Sequence, residues 1–426
     1  MKASRRTRLA AGFALVSAAA LALAGCSSGG GSNAQNQDTS GRGPITYVQG
    51  KDNNNLIRPI IAEWNKAHPD EKVTFKEQSD NADQQHDDLV QHFQAKDSGY
   101  DVVAVDVIWT AEFAAKGWLQ PLTGDLKIDT SKMLKPTVEA GTYNGTLYTA
   151  PWVTDGGLLY YRTDLIKTPP KTWDEMMADC KIAKANNIGC YAGQYADYEG
   201  LTVNVAEAIN TAGGTIVGKD GKTPTLDTPE AKKGLEMLVD AFKDGDIPKE
   251  ALTYQEEQGR QAFEAGQLLF HRNWPYIYSL ASTDGSSKVK GKFAVAPLPG
   301  LDGTGASSLG GHNIAVSAYS KHKATAVDFI KFMESEKIQR EAVVKASNAP
   351  ALASLYDDPE LNKQLPYLST LKTSIENAVP RPVSPFYPAI TKAIEENSFA
   401  ALKGEKTVDQ ALSDMQKAIK TAGSGS

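Results

Sequence analysis

The run Asp101-Val102-Val103-Ala104-Val105-Asp106-Val107-Ile108 constrains the fold more than any other stretch of the chain. Residues 102–105 are apolar whichever way the two-residue alternation of a strand is read, so a strand made from them must be covered on both faces. Helical spacing surrounds it. Ile57, Ile60, Ile61 and Trp64 fall on one helical face, with Asn54 placed to cap that helix and His68-Pro69 to end it. Strands are expected at 45–49 and 73–75, and a polar helix at 83–95. Farther on, strands are expected at 156–161, 293–296 and 314–317. Helices are expected at 172–185, 202–211, 229–243 and 324–334, the last turning Val327, Ile330, Phe332 and Met333 inward. Strands alternating with helices predict an α/β body with a largely parallel sheet. There is no internal repeat and no long linker after residue 44, which favours two lobes in one body.

The N-terminus has a different character. Lys2, Arg5, Arg6 and Arg8 precede an apolar stretch over 9–24, too short and too alanine-rich to span a bilayer, so residues 1–25 read as an export signal. Leu23-Ala24-Gly25-Cys26 resembles the bacterial lipobox, in which the cysteine becomes the lipidated first residue. That resemblance makes Cys26 a membrane anchor and residues 26–43, rich in Gly, Ser and Asn, a flexible tether. An exported protein, lipid-anchored on the outer face of the cell membrane, is the expectation. The remaining cysteines, Cys180 and Cys190, then form an even pair in an oxidising compartment and are expected to bridge, two buried free thiols being the alternative.

Charge and motifs exclude several classes of function. A net charge of -6, from 45 basic and 51 acidic residues spread along the chain, argues against nucleic acid as a partner. The phosphate-loop ending Gly221-Lys222-Thr223 has Ile216 where the first glycine belongs, and no His-Glu-x-x-His or Cys-x-x-Cys spacing occurs. His86 and His92, with Asp87 and Asp88 between them, read as a solvated helix face, so no metal and no cofactor is expected. A secreted carbohydrate-active enzyme would need a marked acid among the carboxylates, and none is marked locally. The chain is read as a non-enzyme.

What does recur is a carboxylate, amide or guanidinium beside an aromatic at an expected strand end, the lining a sugar needs for its hydroxyls and its apolar ring faces. Asp106 with Trp109 leaves the buried strand, where Asp106 either meets a ligand or caps the helix beginning near Thr110. Trp152-Val153-Thr154-Asp155 stands at a plausible crossover, with Asp155 as ligand or as turn residue. Glu256 lies four residues before Arg260, a spacing that also suits a surface ion pair. Trp274, held extended by Pro275 and followed by Tyr276, is the best stacking side chain, a core tryptophan being the other reading. Gly310-Gly311 either admits a ligand to the backbone or marks a turn. Arg381, between Pro380 and Pro382, sits on a stiff backbone suited to gripping hydroxyls, or in a surface proline turn.

With these spots go Tyr100-Asp101-Val102-Val103-Ala104-Val105-Asp106, Lys116-Gly117-Trp118-Leu119-Gln120-Pro121-Leu122, Pro170-Lys171-Thr172-Trp173-Asp174-Glu175-Met176 and Phe263-Glu264-Ala265-Gly266. Over about residues 44–421 the chain resembles the family 1 extracellular solute-binding proteins, the maltose-binding-protein-like group that serves ABC sugar importers. Glu256-Glu257, Arg272-Asn273-Trp274-Pro275-Tyr276, Leu309-Gly310-Gly311 and Val379-Pro380-Arg381-Pro382 resemble the trehalose/maltose-binding lipoproteins within it. The resemblance implies a two-lobed periplasmic-binding-protein-like fold with a hinge and the ligand in the interlobe cleft. It places lobe one at about 44–153 and 309–352, and lobe two at 154–308 and 353–421. It also implies a monomer that binds a disaccharide, trehalose or maltose, and docks on ABC permease subunits; a non-sugar solute is the alternative. By the same resemblance Asp106, Asp155 and Glu256 accept sugar hydroxyls, Trp274 stacks, Gly311 offers backbone and Arg381 donates. Asn53 and Asn54 stand where relatives contact the sugar near the first strand.

Overall fold

The computed structural model describes residues 38–424. The expected signal 1–25, the anchor Cys26 and most of the tether 26–43 lie outside the described residues. The end of that tether is part of the body. Arg42 pairs with Glu71 at 3.0 Å and Asp328 at 2.7 Å, the Gly43 amide donates to Thr325 Oγ1, and the Gly41 carbonyl accepts from the Ala324 amide. The folded part therefore starts near Gly41 rather than at residue 44.

The chain enters one sheet with β1 (Ile45–Gln49), β2 (Val73–Glu77), β3 (Val102–Asp106) and β4 (Thr149–Gly156). It builds a second with β5 (Leu158–Arg162), β6 (Gly189–Ala192), β7 (Leu268–Asn273) and β8 (Phe293–Ala296). It then returns to the first with β9 (Ser307–Val316) and β10 (Ala378–Pro380). The first sheet runs β10-β9-β3-β1-β2, with β4 also on β9; the second runs β8-β5-β7-β6. β1 is parallel to β2 and β3, but β9 lies antiparallel to both β3 and β4, and β5 antiparallel to β7 and β8. The expectation of a largely parallel sheet is thus corrected to two mixed sheets. Antiparallel pairs arise because β4 and β9 are where the chain passes between lobes, and each crossing reverses its direction. β4 reaches residue 156 and β10 lies in the first sheet, so both cross the lobe boundaries expected at 153 and 353.

β3 behaves as its composition requires. Val102 and Ala104 join one core with Ile57, Ile60, Ile61 and Trp64 of α1 (Ile57–Ala67) and with Phe329, Ile330 and Met333. Val103 and Val105 join another with Leu89 and Phe93 of α2 (Ala82–Gln94) and with Phe113 and Trp118. Asp52, not Asn54, caps α1: its two carboxylate oxygens accept from the Leu56 and Ile57 amides at 2.9 and 2.8 Å, and its charge suits the helix N-terminus. In the second lobe α3 (Trp173–Ala185) begins in a capping box of Thr172 and Glu175. The Cys180–Cys190 bridge ties it to β6.

Three crossing segments meet at Gly157, between β4 and β5. Its amide donates to Ser307 Oγ at 2.6 Å, and its carbonyl accepts from Ser374 Oγ at 2.8 Å.

Candidate functional site

A cavity of about 230 Å³ opens between the two lobes, and side chains from both line it. Asn53, Asn54, Asp106, Asp155, Glu256, Trp274, Tyr276, Gly311 and Arg381 are all among them. Trp109 is not. It is buried against His86 and Phe113, a core tryptophan under the 3₁₀ turn Val107–Trp109 that follows β3. His86 itself sits 2.7 Å from the buried Glu112 carboxylate, a partner on another helix rather than the solvated face expected of it.

Asp106 caps the turn after β3 and also lines the cavity. One oxygen accepts from the Ile108 amide at 3.2 Å, capping that turn, and the same oxygen lies 3.3 Å from Arg381 Nη2. Arg381 is 4% exposed, which removes the surface-turn reading. Its Nη1 meets Glu199 at 2.5 Å, and its Nε is buried without a partner among the described residues. Glu199 opens α4 (Glu199–Thr211) and also accepts from Tyr387 and Thr391 at 2.6 Å. Burial raises its pKa, and Arg381 and the two hydroxyl donors pull it back.

Asp155 is a strand residue, not a turn. It is half-buried near the end of β4 opposite Gly310 of β9. No donor among the described residues reaches its carboxylate. Burial, helped by the charge of Asp106 and opposed by Arg272, lifts its pKa to about 8. Glu256 begins α5 (Glu256–Glu264), and Arg260 does not hold it: that guanidinium pairs with Glu257 at 2.8 Å and Glu264 at 2.6 Å. Glu256 instead accepts from the Tyr198 hydroxyl at 2.8 Å, and burial raises its pKa.

Trp274 leaves β7 half-buried, one face against the Arg272 guanidinium at 3.9 Å. Tyr276 lines the same wall with its hydroxyl given to Glu257 at 2.6 Å. The paired glycines lie inside β9 rather than in a turn, and each has a separate use. A Cβ on Gly310 would stand 2.8 Å from the Trp274 ring; one on Gly311 would stand 2.1 Å from the Val153 carbonyl, at a φ of +106° that suits glycine. Asn54 spans the cleft, accepting from Ser279 Oγ at 3.3 Å across the lobes. With the Glu199 amide donating to Asp83 at 3.3 Å, these contacts describe a closed arrangement.

Tyr198, Glu199 and Gln85 also line the cavity and were not foreseen. Gln85 sits in a polar helix with no such signal, but Tyr198-Glu199-Gly200 sets a carboxylate between an aromatic and a glycine, a signal of the same kind as the other spots.

The family of bacterial extracellular solute-binding proteins matches residues 49–340. The chain belongs to that family. It is 35% identical over 317 residues to a probable ABC transporter-binding protein of Deinococcus radiodurans, across 69% of this chain and 72% of the relative. A maltotriose-binding protein of Pyrococcus abyssi is 25% identical over 309 residues, 71% of this chain and 65% of its own. In three dimensions the chain is similar to maltose-bound MalE3 of T. maritima, with a TM-score of 0.84, 34% identity, and coverage of 89% of this chain and 99% of that one. It is also similar to a Thermotoga lettingae solute-binding protein holding α-D-tagatose, with a TM-score of 0.82, 25% identity, and coverage of 89% and 100%. An extracellular solute-binding protein is exported, and it works by binding rather than by catalysis. The fold is the two-lobed one of these relatives, with the cavity between the lobes.

Proposed function

We propose that this protein captures a neutral disaccharide of the maltose or trehalose type outside the membrane and delivers it to an ABC permease, anchored through Cys26. The observation that carries the sugar reading is the state of the cavity's charges. The buried cation of the wall, Arg381, is already neutralised by Asp106 and Glu199. Lys51, exposed and 3.8 Å from Glu77, is the other cation among the described lining residues, so carboxylates outnumber cations and an anionic solute is disfavoured. Asp155 and Glu256 have acceptor capacity to spare, which hydroxyl donors would use, and Trp274 presents a ring for an apolar sugar face. The maltose and maltotriose named for two relatives support the choice of sugar. Because both lobes contribute to the lining, a ligand that bridges them favours closure. Micromolar affinity, about 8 kcal/mol, is within reach of such a set after ordering costs.

A thermal-shift series against glucose, maltose, trehalose, cellobiose and longer maltodextrins tests the assignment, since a ligand of the native state raises its apparent stability. A shift with maltose or trehalose at micromolar concentration, lost in Trp274→Ala, is expected. No shift with any of the sugars would sink it. For the anchor, metabolic labelling with a fatty acid should mark the wild-type chain and not Cys26→Ala.

A further inference from the structure

Among the described residues the largest fully buried side chain is a charged one, Arg272, on β7 two residues before Trp274. Its fork is filled. Nε and Nη2 donate to the two oxygens of Glu207 at 2.9 and 2.5 Å, Nη1 donates to Gln194 Oε1 at 2.9 Å, and Gln194 returns a bond to the Arg272 carbonyl at 3.0 Å. Such a fork fixes the plane of the guanidinium. Its flat face then lies 3.9 Å from the centre of the Trp274 ring. With Arg272 over one face and Gly310 close against its ring atoms, the indole still lines the cavity.

The same ion pair grips the hinge. Glu207 Oε1 also accepts from the Ser308 amide at 2.9 Å, where the chain re-enters the first sheet. On the other crossing, a Cβ on Gly157 would stand 2.8 Å from Arg272 Nη2 and 2.9 Å from Glu207 Oε1. A buried ion pair is no better for stability than a well-packed apolar pair of similar volume, so its presence asks for another reason.

We infer that Arg272, clamped by Glu207, is the positioning residue of the stacking tryptophan, setting the angle of the Trp274 ring relative to the hinge strands. The inference rests on Trp274 being the stacking residue of the proposed sugar site. Arg272 touches no ligand; it acts through the ring it supports.

A double-mutant cycle on Arg272 and Trp274 tests it, titrating maltose and trehalose by calorimetry. Arg272→Lys keeps the charge and loses the planar fork, and should weaken binding about tenfold in the wild-type background but less than twofold beside Trp274→Phe. In the ligand-free protein, the fluorescence lost on Trp274→Phe identifies the contribution of that ring, and this contribution should become more open to acrylamide quenching in Arg272→Lys. Equal losses in both backgrounds, or unchanged quenching, would overturn the inference while leaving the site intact. Unchanged affinity in Trp274→Ala would overturn the site reading and the inference with it. If Arg272→Lys does not unfold cooperatively, Arg272→Gln with Glu207→Gln, which leaves no buried charge, goes through the same cycle and must show the same coupling.

Discussion

Closing the empty cleft should take up a proton at Asp155. In the closed form its pKa is raised from the ordinary 3.8 to about 8, mainly through burial and then through Asp106, and opening that returns the carboxyl to water would bring it back toward the ordinary value. A raised carboxyl pKa favours the state that holds it below the lower value, and that advantage is lost as pH climbs to the higher one. Empty closure is therefore unpenalised below about pH 4. It costs less than about 2 kcal/mol at pH 5 and about 4 kcal/mol at pH 7, the cost levelling off above pH 8. A difference of about 2 to 3 kcal/mol between pH 5 and pH 7 moves the ratio of closed to open protein by roughly 30- to 160-fold. Small-angle scattering of the ligand-free protein should show a smaller radius of gyration at pH 5 than at pH 8.

Asp155→Asn should remove most of that slope and close more readily at pH 7. Part of the remaining slope belongs to Glu395, also raised to about 8 by burial and by Asp83 and Glu199, with Asp83 reaching it from the other lobe, and part to Glu199 and Glu256, which burial also raises. Adding Glu395→Gln should reduce the slope further. A wild-type radius unchanged between pH 5 and pH 8, or a slope as steep in Asp155→Asn, refutes the reasoning. A bound sugar that donates to the Asp155 carboxylate restores its charge, so calorimetry of maltose at pH 7 in buffers of differing ionisation enthalpy should detect almost no net proton transfer.

Gly310→Ala puts a methyl 2.8 Å from the Trp274 ring, so affinity should fall at least about tenfold while the melting temperature shifts little, measured by titration beside thermal unfolding. Arg381→Gln leaves Glu199 buried without its cation and should lower stability by about 3 to 5 kcal/mol in urea unfolding; Glu199→Gln added to it should recover much of that loss without restoring binding. Replacing Cys180 and Cys190 together by serine should lower stability by about 3 kcal/mol and leave affinity within twofold, as expected of a bridge whose cysteines do not line the cavity.

What could be read from the chain depended on how local the cause was. Thr172 with Glu175, the helical spacing of Ile57 to Trp64, and the two-faced burial of β3 are decided within a dozen residues, and the structure follows them closely. The cap of α1 was misplaced by two positions because Asp52 and Asn54 are both good caps, and only the path of the loop puts the carboxylate under the free amides. Sheet direction was less legible. The 314–317 stretch reads as a strand from its apolar residues, but its extension back to Ser307 and its antiparallel run beside β3 follow from a crossing that no local pattern records.

The site divides in the same way. Trp274 and Arg381 could be picked out because prolines stiffen their backbones, a cause visible within two residues. Trp109 looked equivalent, yet it turns into the core, because the turn capped by Asp106 rotates it away from the cavity that the carboxylate faces. Glu199 stands between Tyr198 and Gly200, but what fixes its role is distant. Its partners Arg381, Tyr387 and Thr391 are more than 180 residues away, and a glutamate at a helix start has an ordinary explanation of its own. The Glu256 case turns on a single register: Arg260 can reach back three or four residues, and it takes Glu257 three back while reaching forward to Glu264. Had it taken Glu256, the cleft would have lost an acceptor and α5 would have been only a surface helix. The carboxylates left without cations at Asp155 and Glu256, and the buried guanidinium held by Asp106 and Glu199, are therefore one arrangement, and the proposal of a neutral, hydroxyl-rich ligand rests on it.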